Sequence, residues 1–452
     1  MKLRRGRQDK EPVIEESEEK IAVGLDIGTT KVVAFVGRKE PQRGRIEILG
    51  QGECISIGVQ RGQVINIAKT TQAISQAIKQ ACVSSGVVID TVVAGIAGQH
   101  VNCIHSKEEI KRKNPNKEID NEDIRLLVDN VFSLSMPPGT QVIDAIPQEY
   151  YVDNNRDLID PKGVIGNQFG SYFNVITGNE QHIKNIARCV KQCDLEMEDL
   201  ILEPIASSCV TLDDRELESG VVLVDIGGGT TDIAIYYNGF LRHTAVIPIA
   251  GDVITEDIKQ VFKGIVKEDA ESIKVKHGSC IPDPSKENVV ICIPGIHGRP
   301  EIEIGQNELA RVIEARMKEI IDRVMVEIDA SGYRDKLGCG IVLTGGGALL
   351  SGICEFTEFH TGMIVRMGYP EEKVVFSEET RQKYCNPMYA TALGLMVKSF
   401  ENEEDLRTES SNEVKRNEVR PPQPSEYRPK GRVADFITKV ILMQDDSLED
   451  DE

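Results

Sequence analysis

The chain has 452 residues and a formal net charge of −20, with 53 Lys and Arg against 73 Asp and Glu. That length accommodates two to four domains with sizeable cores, and the acidic balance argues against nucleic acid as a main partner. The eleven cysteines are scattered and lack a C-x-x-C pair, and Cys189 and Cys193 have no His at metal-ligand spacing. They read as reduced thiols of a cytosolic protein. The N-terminus shows no signal-peptide h-region, and no apolar run reaches the ~18 residues of a membrane span.

Met1–Lys20 is charged, poor in large apolar residues, and reads as a disordered tail. Ile21-Ala22-Val23-Gly24-Leu25-Asp26-Ile27-Gly28-Thr29-Thr30-Lys31 then runs from a buried strand into an Asp, a Gly and two Thr. A second strand follows at Val32–Val36, and residues 21–64 read as strands. Asn66–Ser85 predicts a helix whose stripe is Ile67, Ile74, Ala77, Ile78 and Ala81, and Val92–Ala97 predicts a buried strand. Residues 93–176 break this pattern and read as an insertion. Within it lie the charged segment Lys107–Asp123, a short helix at Asp123–Leu134, a turn at Pro137-Pro138-Gly139 and a strand at Ile146–Asp153. His100 and His105 lack a nucleophile or metal partner and take structural roles. Gln181–Cys193 and Met197–Leu212 read as helices, the second beginning near Leu202-Glu203-Pro204.

The strand–Asp–Gly–Thr plan returns at Val221-Val222-Leu223-Val224-Asp225-Ile226-Gly227-Gly228-Gly229-Thr230-Thr231-Asp232, continuing into Ile233–Tyr237 and the turn Asn238-Gly239. Glycines let a ligand approach backbone N–H groups, which together form an anion-binding concavity. The Thr hydroxyls add donors, and the Asp carboxylates stand where a phosphate-bound Mg²⁺ would sit. Two such hairpins suggest a duplicated pair of domains closing on one ligand from both sides. A third glycine turn follows the strand Ile341-Val342-Leu343-Thr344, at Gly345-Gly346-Gly347-Ala348. Neither a Walker A motif nor a G-x-G-x-x-G fingerprint is present. A helix from Ile254, a long helix at Gly305–Ala330 and a last helix at Met388–Phe400 complete the body.

Residues 401–430 are polar and rich in proline, and read as a flexible linker. Beyond them Val433, Phe436, Ile437, Val440 and Ile441 fall on one helical stripe, with Arg432 and Lys439 available to lipid phosphates. With nothing evident to pack on, the stripe favours a membrane or partner surface. A helix this short is marginal in water, so single copies bind weakly and a polymer binds through avidity. The chain ends in an acidic tail at residues 444–452, which an anionic leaflet would repel.

In order and spacing the three glycine turns resemble the actin, heat-shock-chaperone and sugar-kinase superfamily of ATP-binding proteins. The insertion narrows this. Gly95-Ile96-Ala97-Gly98-Gln99-His100, Ile146-Pro147-Gln148-Glu149-Tyr150-Tyr151-Val152-Asp153 and Asp160-Pro161-Lys162-Gly163 resemble the FtsA family of bacterial cell-division proteins, although Gln99 stands where that family often has Arg.

The resemblance implies an α/β actin-like ATPase fold of two duplicated RNase H-like lobes with the nucleotide between them. Subdomain 1A would comprise residues 20–92, 177–215 and 371–400. Subdomain 1C, in place of actin 1B, would be 93–176, subdomain 2A 216–260 and 304–370, and subdomain 2B 261–303. ATP and Mg²⁺ are the implied cofactors, with Asp26 and Asp225 at the metal. Phosphates would meet Gly28, Thr29, Thr30, Lys31, Gly227, Gly228, Gly229, Thr230 and Thr231, and the nucleotide would also meet Gly251, Glu271, Lys274, Gly345, Gly346, Gly347 and Ala348. Glu203 would orient a water in a weak ATPase; the alternative is a first-turn Glu favoured by the helix dipole. Glu271 and Lys274 would approach ribose and base, or form a plain surface ion pair. The implied partners are the FtsZ C-terminal tail at subdomain 2B, other division proteins at 1C, further copies in filaments and the inner-face lipid surface. Localisation would be peripheral, at the septum. A small-molecule kinase and a pilus-assembly actin homologue remain rival readings.

Overall fold

The computed structural model describes residues 20–40, 45–295 and 299–401. The predicted linker beyond Glu401, the amphipathic stripe, and the tails at residues 1–19 and 444–452 fall outside them.

Two sheets share one plan. In the first lobe the strands lie in the order Glu196–Leu202, Thr91–Ile96, Ile21–Ile27, Lys31–Lys39, Ile46–Ile55 and Val374–Val375. In the second lobe the order is Phe240–Ile247, Thr231–Tyr237, Val221–Ile226, Ile341–Thr344 and Val365–Met367. Each contains an antiparallel three-strand meander whose first strand then pairs in parallel with a later one. A second parallel strand completes each set, at Glu196–Leu202 and at Val365–Met367. The duplication read from two short motifs thus extends to five strands per lobe.

Local sequence explains the helices that brace these sheets. The Asn66 carboxamide accepts from the Lys69 N–H at 3.0 Å and starts Ile67–Ser85, which Gly86 ends in the left-handed conformation. Its buried face, Thr70, Ala73, Ile74, Ala77, Ile78 and Ala81, closes the first-lobe core. In the second lobe the 26-residue helix Gln306–Ser331 supplies Ile313, Met317, Ile320 and Val324 to the other core.

The insertion forms its own four-stranded antiparallel sheet, ordered Asn102–Lys111, Gln168–Asn179, Thr140–Val152 and Asn155–Leu158. The helix Asn121–Phe132, started by a capping box at Asp120 and Asp123, packs Leu127 and Val131 against Phe169 and Phe173.

One expectation needs correction. Met197–Leu202 is a strand, not the first part of a helix; the helix is Glu203–Thr211. The tertiary site offers parallel pairing with Thr91–Ile96, and that outweighs helix propensity. The charged segment beginning at Lys107 continues the strand Asn102–Lys111, whose polar side chains mostly face solvent. All eleven cysteines are free. Cys189 and Cys193 donate to the Ile67 and Thr71 carbonyls at 3.8 and 3.3 Å, which makes them helix-packing residues. No helix among the described residues is long and apolar enough to cross a membrane.

Candidate functional site

The two Asp-Ile-Gly hairpins face each other across a cleft enclosing roughly 260 Å³. The approach is close. A Cβ on Gly228 would lie 2.0 Å from the Thr30 hydroxyl, and one on Gly229 would lie 2.5 Å from the Thr29 hydroxyl and 3.0 Å from Arg61 Cα. Thr29 also accepts from the Gly62 N–H at 3.1 Å, which fixes the first turn to its own lobe. The helix Gly251–Val261 opens against the second turn: the Gly251 and Asp252 N–H groups donate to the Gly227 and Gly228 carbonyls at 3.1 and 2.7 Å. Gly345 takes φ +88°, and a Cβ there would meet Asp225 Oδ1 at 2.3 Å. Only glycine suits that turn.

The cleft gathers carboxylates. Asp26, Glu203, Asp225 and Asp232 line it beside Lys31, and Asp252, Glu271 and Lys274 line it further along. Asp225 is buried and accepts from Ser207 at 2.7 Å and Thr391 at 3.2 Å. Burial raises its pKa, and those two hydrogen bonds oppose the rise. Desolvation lifts Asp26 to about 7; Lys31 pulls it down and Asp225 pushes it up. Burial also pushes Glu203 well above the ordinary range, helped by Asp26, Asp232 and Asp225. Asp232 is raised by burial and by Asp225; it accepts from Thr230 at 3.0 Å through Oδ2, while its buried Oδ1 has no hydrogen-bond partner among the described residues. The Lys31 ammonium likewise makes no hydrogen bond there, lying 3.8 Å from Glu53 and 3.8 Å from the centre of the Tyr389 ring. Burial lowers its pKa.

Lys274 is not a surface ion-pair residue. It is buried and donates to the Gly251 carbonyl at 3.0 Å and the Thr255 hydroxyl at 2.9 Å, with Glu271 at 2.7 Å. Glu271 in turn accepts from Thr255. This cluster fixes the helix Lys267–His277 against the helix that opens at Gly251.

Most predicted residues therefore meet in one cleft: Asp26, Gly28, Thr29, Thr30, Lys31, Glu203, Asp225, Gly227, Gly228, Gly229, Thr230, Gly251, Glu271, Lys274, Gly345, Gly346 and Gly347. Thr231 and Ala348 are exceptions. Thr231 is fully buried and donates to the Ile249 carbonyl at 2.8 Å, because successive strand residues face opposite ways. Ala348 is buried in the second-lobe core. Asp232, Asp252, Thr391 and Gly62 line the cleft without having been singled out. For Asp232 a signal existed, since it closes the second motif. Thr391 arrives from the last helix, in the stretch Thr391-Ala392-Leu393-Gly394-Leu395 that resembles the family pattern but has no glycine turn to mark a ligand site.

A family model described as "Cell division protein FtsA" matches residues 222–394, and one described as "SHS2 domain inserted in FTSA" matches residues 98–177. The chain is 37% identical to the cell division protein FtsA of Pseudomonas aeruginosa over 386 residues, which cover 85% of this chain and 91% of that one. It is 35% identical to that of Escherichia coli K12 over 393 residues, covering 85% and 91%. For Bacillus subtilis the figures are 32% over 374 residues, covering 83% and 82%. Among solved structures, the "PilM-PilN type IV pilus biogenesis complex" superposes with a TM-score of 0.60 at 16% identity, covering 83% of this chain and 98% of that one. MreB5 of Spiroplasma citri, solved bound to ADP, gives a TM-score of 0.51 at 14% identity, covering 86% and 98%. At such identities these two speak for the actin-like fold alone. The sequence matches decide against the kinase and pilus readings, and the chain belongs to the FtsA family of actin-like cell-division proteins.

Proposed function

We propose that the chain binds Mg-ATP between its lobes and serves as a nucleotide-conditioned tether joining the FtsZ ring to the membrane. The observation that supports this most directly is the charge and shape of the cleft. Glycines of one turn lie so close to threonines of the other that no Cβ would fit, which brings the backbone N–H groups of both turns to one cleft. Six carboxylates line the cleft against two lysines, and two buried polar groups, Asp232 Oδ1 and Lys31 Nζ, lack hydrogen-bond partners among the described residues. Such an excess of buried carboxylate suits a divalent cation, and an ammonium without a hydrogen-bond partner suits a phosphate.

Asp26 and Asp225 would hold Mg²⁺, which would supply charge neutralisation and return the crowded carboxyls to their ionised form. Gly28, Thr29, Thr30 and Gly227–Thr230 would donate to phosphates, Lys31 would neutralise them, and Gly345–Gly347 would admit the adenosine. Glu271 and Lys274 would border ribose and base. Glu203 would orient a water for at most a slow hydrolysis. The main role of nucleotide would be conformational, since closing two lobes presents a different surface to the next copy in a filament.

Subdomain 2B would take the FtsZ tail, 1C other division proteins, and the stripe containing Val433, Phe436, Ile437, Lys439, Val440 and Ile441 the lipid. Two measurements test the proposal. ATP titration with and without Mg²⁺ should show metal-dependent binding; equal affinity in both would remove the metal assignment. Phe436→Glu should abolish co-sedimentation with anionic vesicles while leaving ATP affinity and capture by an FtsZ C-terminal peptide intact. A mutant that still pellets would place the anchor elsewhere.

A further inference from the structure

The insertion touches both lobes, and its two attachments differ in kind. On the first lobe the contact is apolar: Ile143 and Ile176 belong to that lobe's core. On the second, Ile146 packs against the cluster of Leu241 and Tyr236, and a buried polar cluster is added to it. Arg242, on the strand Phe240–Ile247, is 7% exposed and lies between the two sheets. Its Nε donates to the Tyr237 carbonyl at 3.0 Å. Its Nη1 donates to Gln148 Oε1 at 3.2 Å and Glu149 Oε2 at 2.7 Å, and its Nη2 donates to Glu149 Oε1. The neighbouring Leu241 carbonyl accepts from Gln148 at 2.9 Å and Asn174 at 2.5 Å. All three partners, Gln148, Glu149 and Asn174, come from the insertion.

Beside this cluster the seam opens to solvent. A cavity of about 340 Å³ lies between Asp144 and Ile146 of the insertion, Ile205 of the first lobe, and Phe240 and Leu241 of the second. Apolar packing is therefore incomplete where the polar cluster holds. A fork-on-carboxylate pair fixes both distance and orientation, and leaving one half of it buried and unmatched is costly. Apolar contact is non-directional and tolerates rotation. The insertion joins the first lobe through two short crossings, residues 97–101 and 177–180. Gly98 takes φ +124° in one of them, and a Cβ there would press on the His100 ring at 2.9 Å.

We propose that the insertion is a strap, fastened to the second lobe by Arg242 and pivoting on the first lobe at residues 97–101 and 177–180, so that a change in the angle between the lobes swings it. Only the trigger rests on the nucleotide reading above; the fastening does not. Hydrogen exchange on the full chain tests both parts. Without nucleotide, Arg242→Met should raise exchange at the two crossings at least threefold while the sheet cores of both lobes stay protected. With Mg-AMPPNP, the parent should change its exchange at both glycine turns and at the crossings, whereas Arg242→Met should change it at the turns only. If Arg242→Met fails to fold, Glu149→Gln keeps the volume and should show the same effects at reduced size. Unchanged crossings in the unliganded variant would overturn the strap. So would a parent whose turns respond to nucleotide while its crossings do not, or a variant whose crossings respond as fully as the parent's. If no turn responds to nucleotide in any protein, the nucleotide reading fails and the unliganded comparison alone decides the strap.

Discussion

In the first hairpin Asp26 sits opposite Val33, and the charged residue of the turn is Lys31. In the second, Asp225 sits opposite Asp232, and Thr230 occupies the position matching Lys31. The backbones follow one plan, yet one copy carries a cation and the other a second acid. Asp225 is held by Ser207 and Thr391, whereas Asp26 has the charge of Lys31 against it. One plan thus shapes both sides of the cleft while the charges differ: on the reading proposed above, both turns would donate to phosphates, the metal would lean more on the second hairpin, with its paired acids Asp225 and Asp232, and Lys31 of the first would add charge against phosphate.

The largest expected effect breaks the metal half of that division. Asp225→Ala should weaken Mg-ATP binding about 100-fold, the equivalent of roughly 3 kcal/mol for a lost charged contact. ATP affinity in chelator should move less than about threefold. Calorimetric titration in both conditions checks this, and equal losses would show that the two hairpins are not specialised. A shape change should follow in size. Gly229→Ala pushes a methyl onto Thr29 and Arg61 of the other lobe, whereas Gly28→Ala meets atoms of its own turn, the Lys31 carbonyl at 2.9 Å and Asp26 Oδ1 at 3.6 Å. Overpacking of that kind costs about 1–3 kcal/mol, so Gly229→Ala should weaken nucleotide about tenfold, and more than Gly28→Ala does. Lys31→Met should then cost only a few-fold, and equally with and without Mg²⁺, since its role is charge against phosphate. A loss confined to Mg-ATP would contradict the division.

The two turns were legible in the sequence because an Asp, its glycines and its threonines are neighbours in the chain. The tuning of their acids was not. Ser207 and Thr391 reach Asp225 from the helix Glu203–Thr211 and from the helix over residues 390–401, and no local pattern announces that meeting. Thr231 was assigned to phosphate because it adjoins Thr230; the two-residue period of a strand sends it into the lobe. The strand Glu196–Leu202 was hidden for a related reason. Its composition does not alternate cleanly, and its identity comes from the parallel partner beside it. The buried Arg242–Glu149 pair joins residues from two different sheets and could not be read from spacing.

The smallest effect lies away from the cleft, at the root of the insertion. His100 packs against His182 with ring centres 4.5 Å apart and planes tilted by 41°, and burial, with a further contribution from His182, lowers its pKa to about 4. The folded chain therefore holds His100 neutral where the unfolded chain, titrating near 6.5, already takes a proton. Stability from this group is complete above pH ~6.5 and is lost as pH falls toward about 4. Thermal melting across that range should show a shallower acid slope in His100→Gln than in the parent. An unchanged slope would clear the histidine pair of any part in it.

The position of Tyr389 has an optical consequence. The chain contains no tryptophan, so its ultraviolet emission comes from ten tyrosines. Tyr389 lies at the edge of the cleft with the Lys31 ammonium over its ring, and its hydroxyl donates to Glu53 at 2.9 Å. An anion that draws Lys31 toward the first turn would lift a positive charge off that ring and leave the Glu53 hydrogen bond in place. Occupancy of the first hairpin would then be written in the emission of one native residue, readable without a label and silent to events in the second.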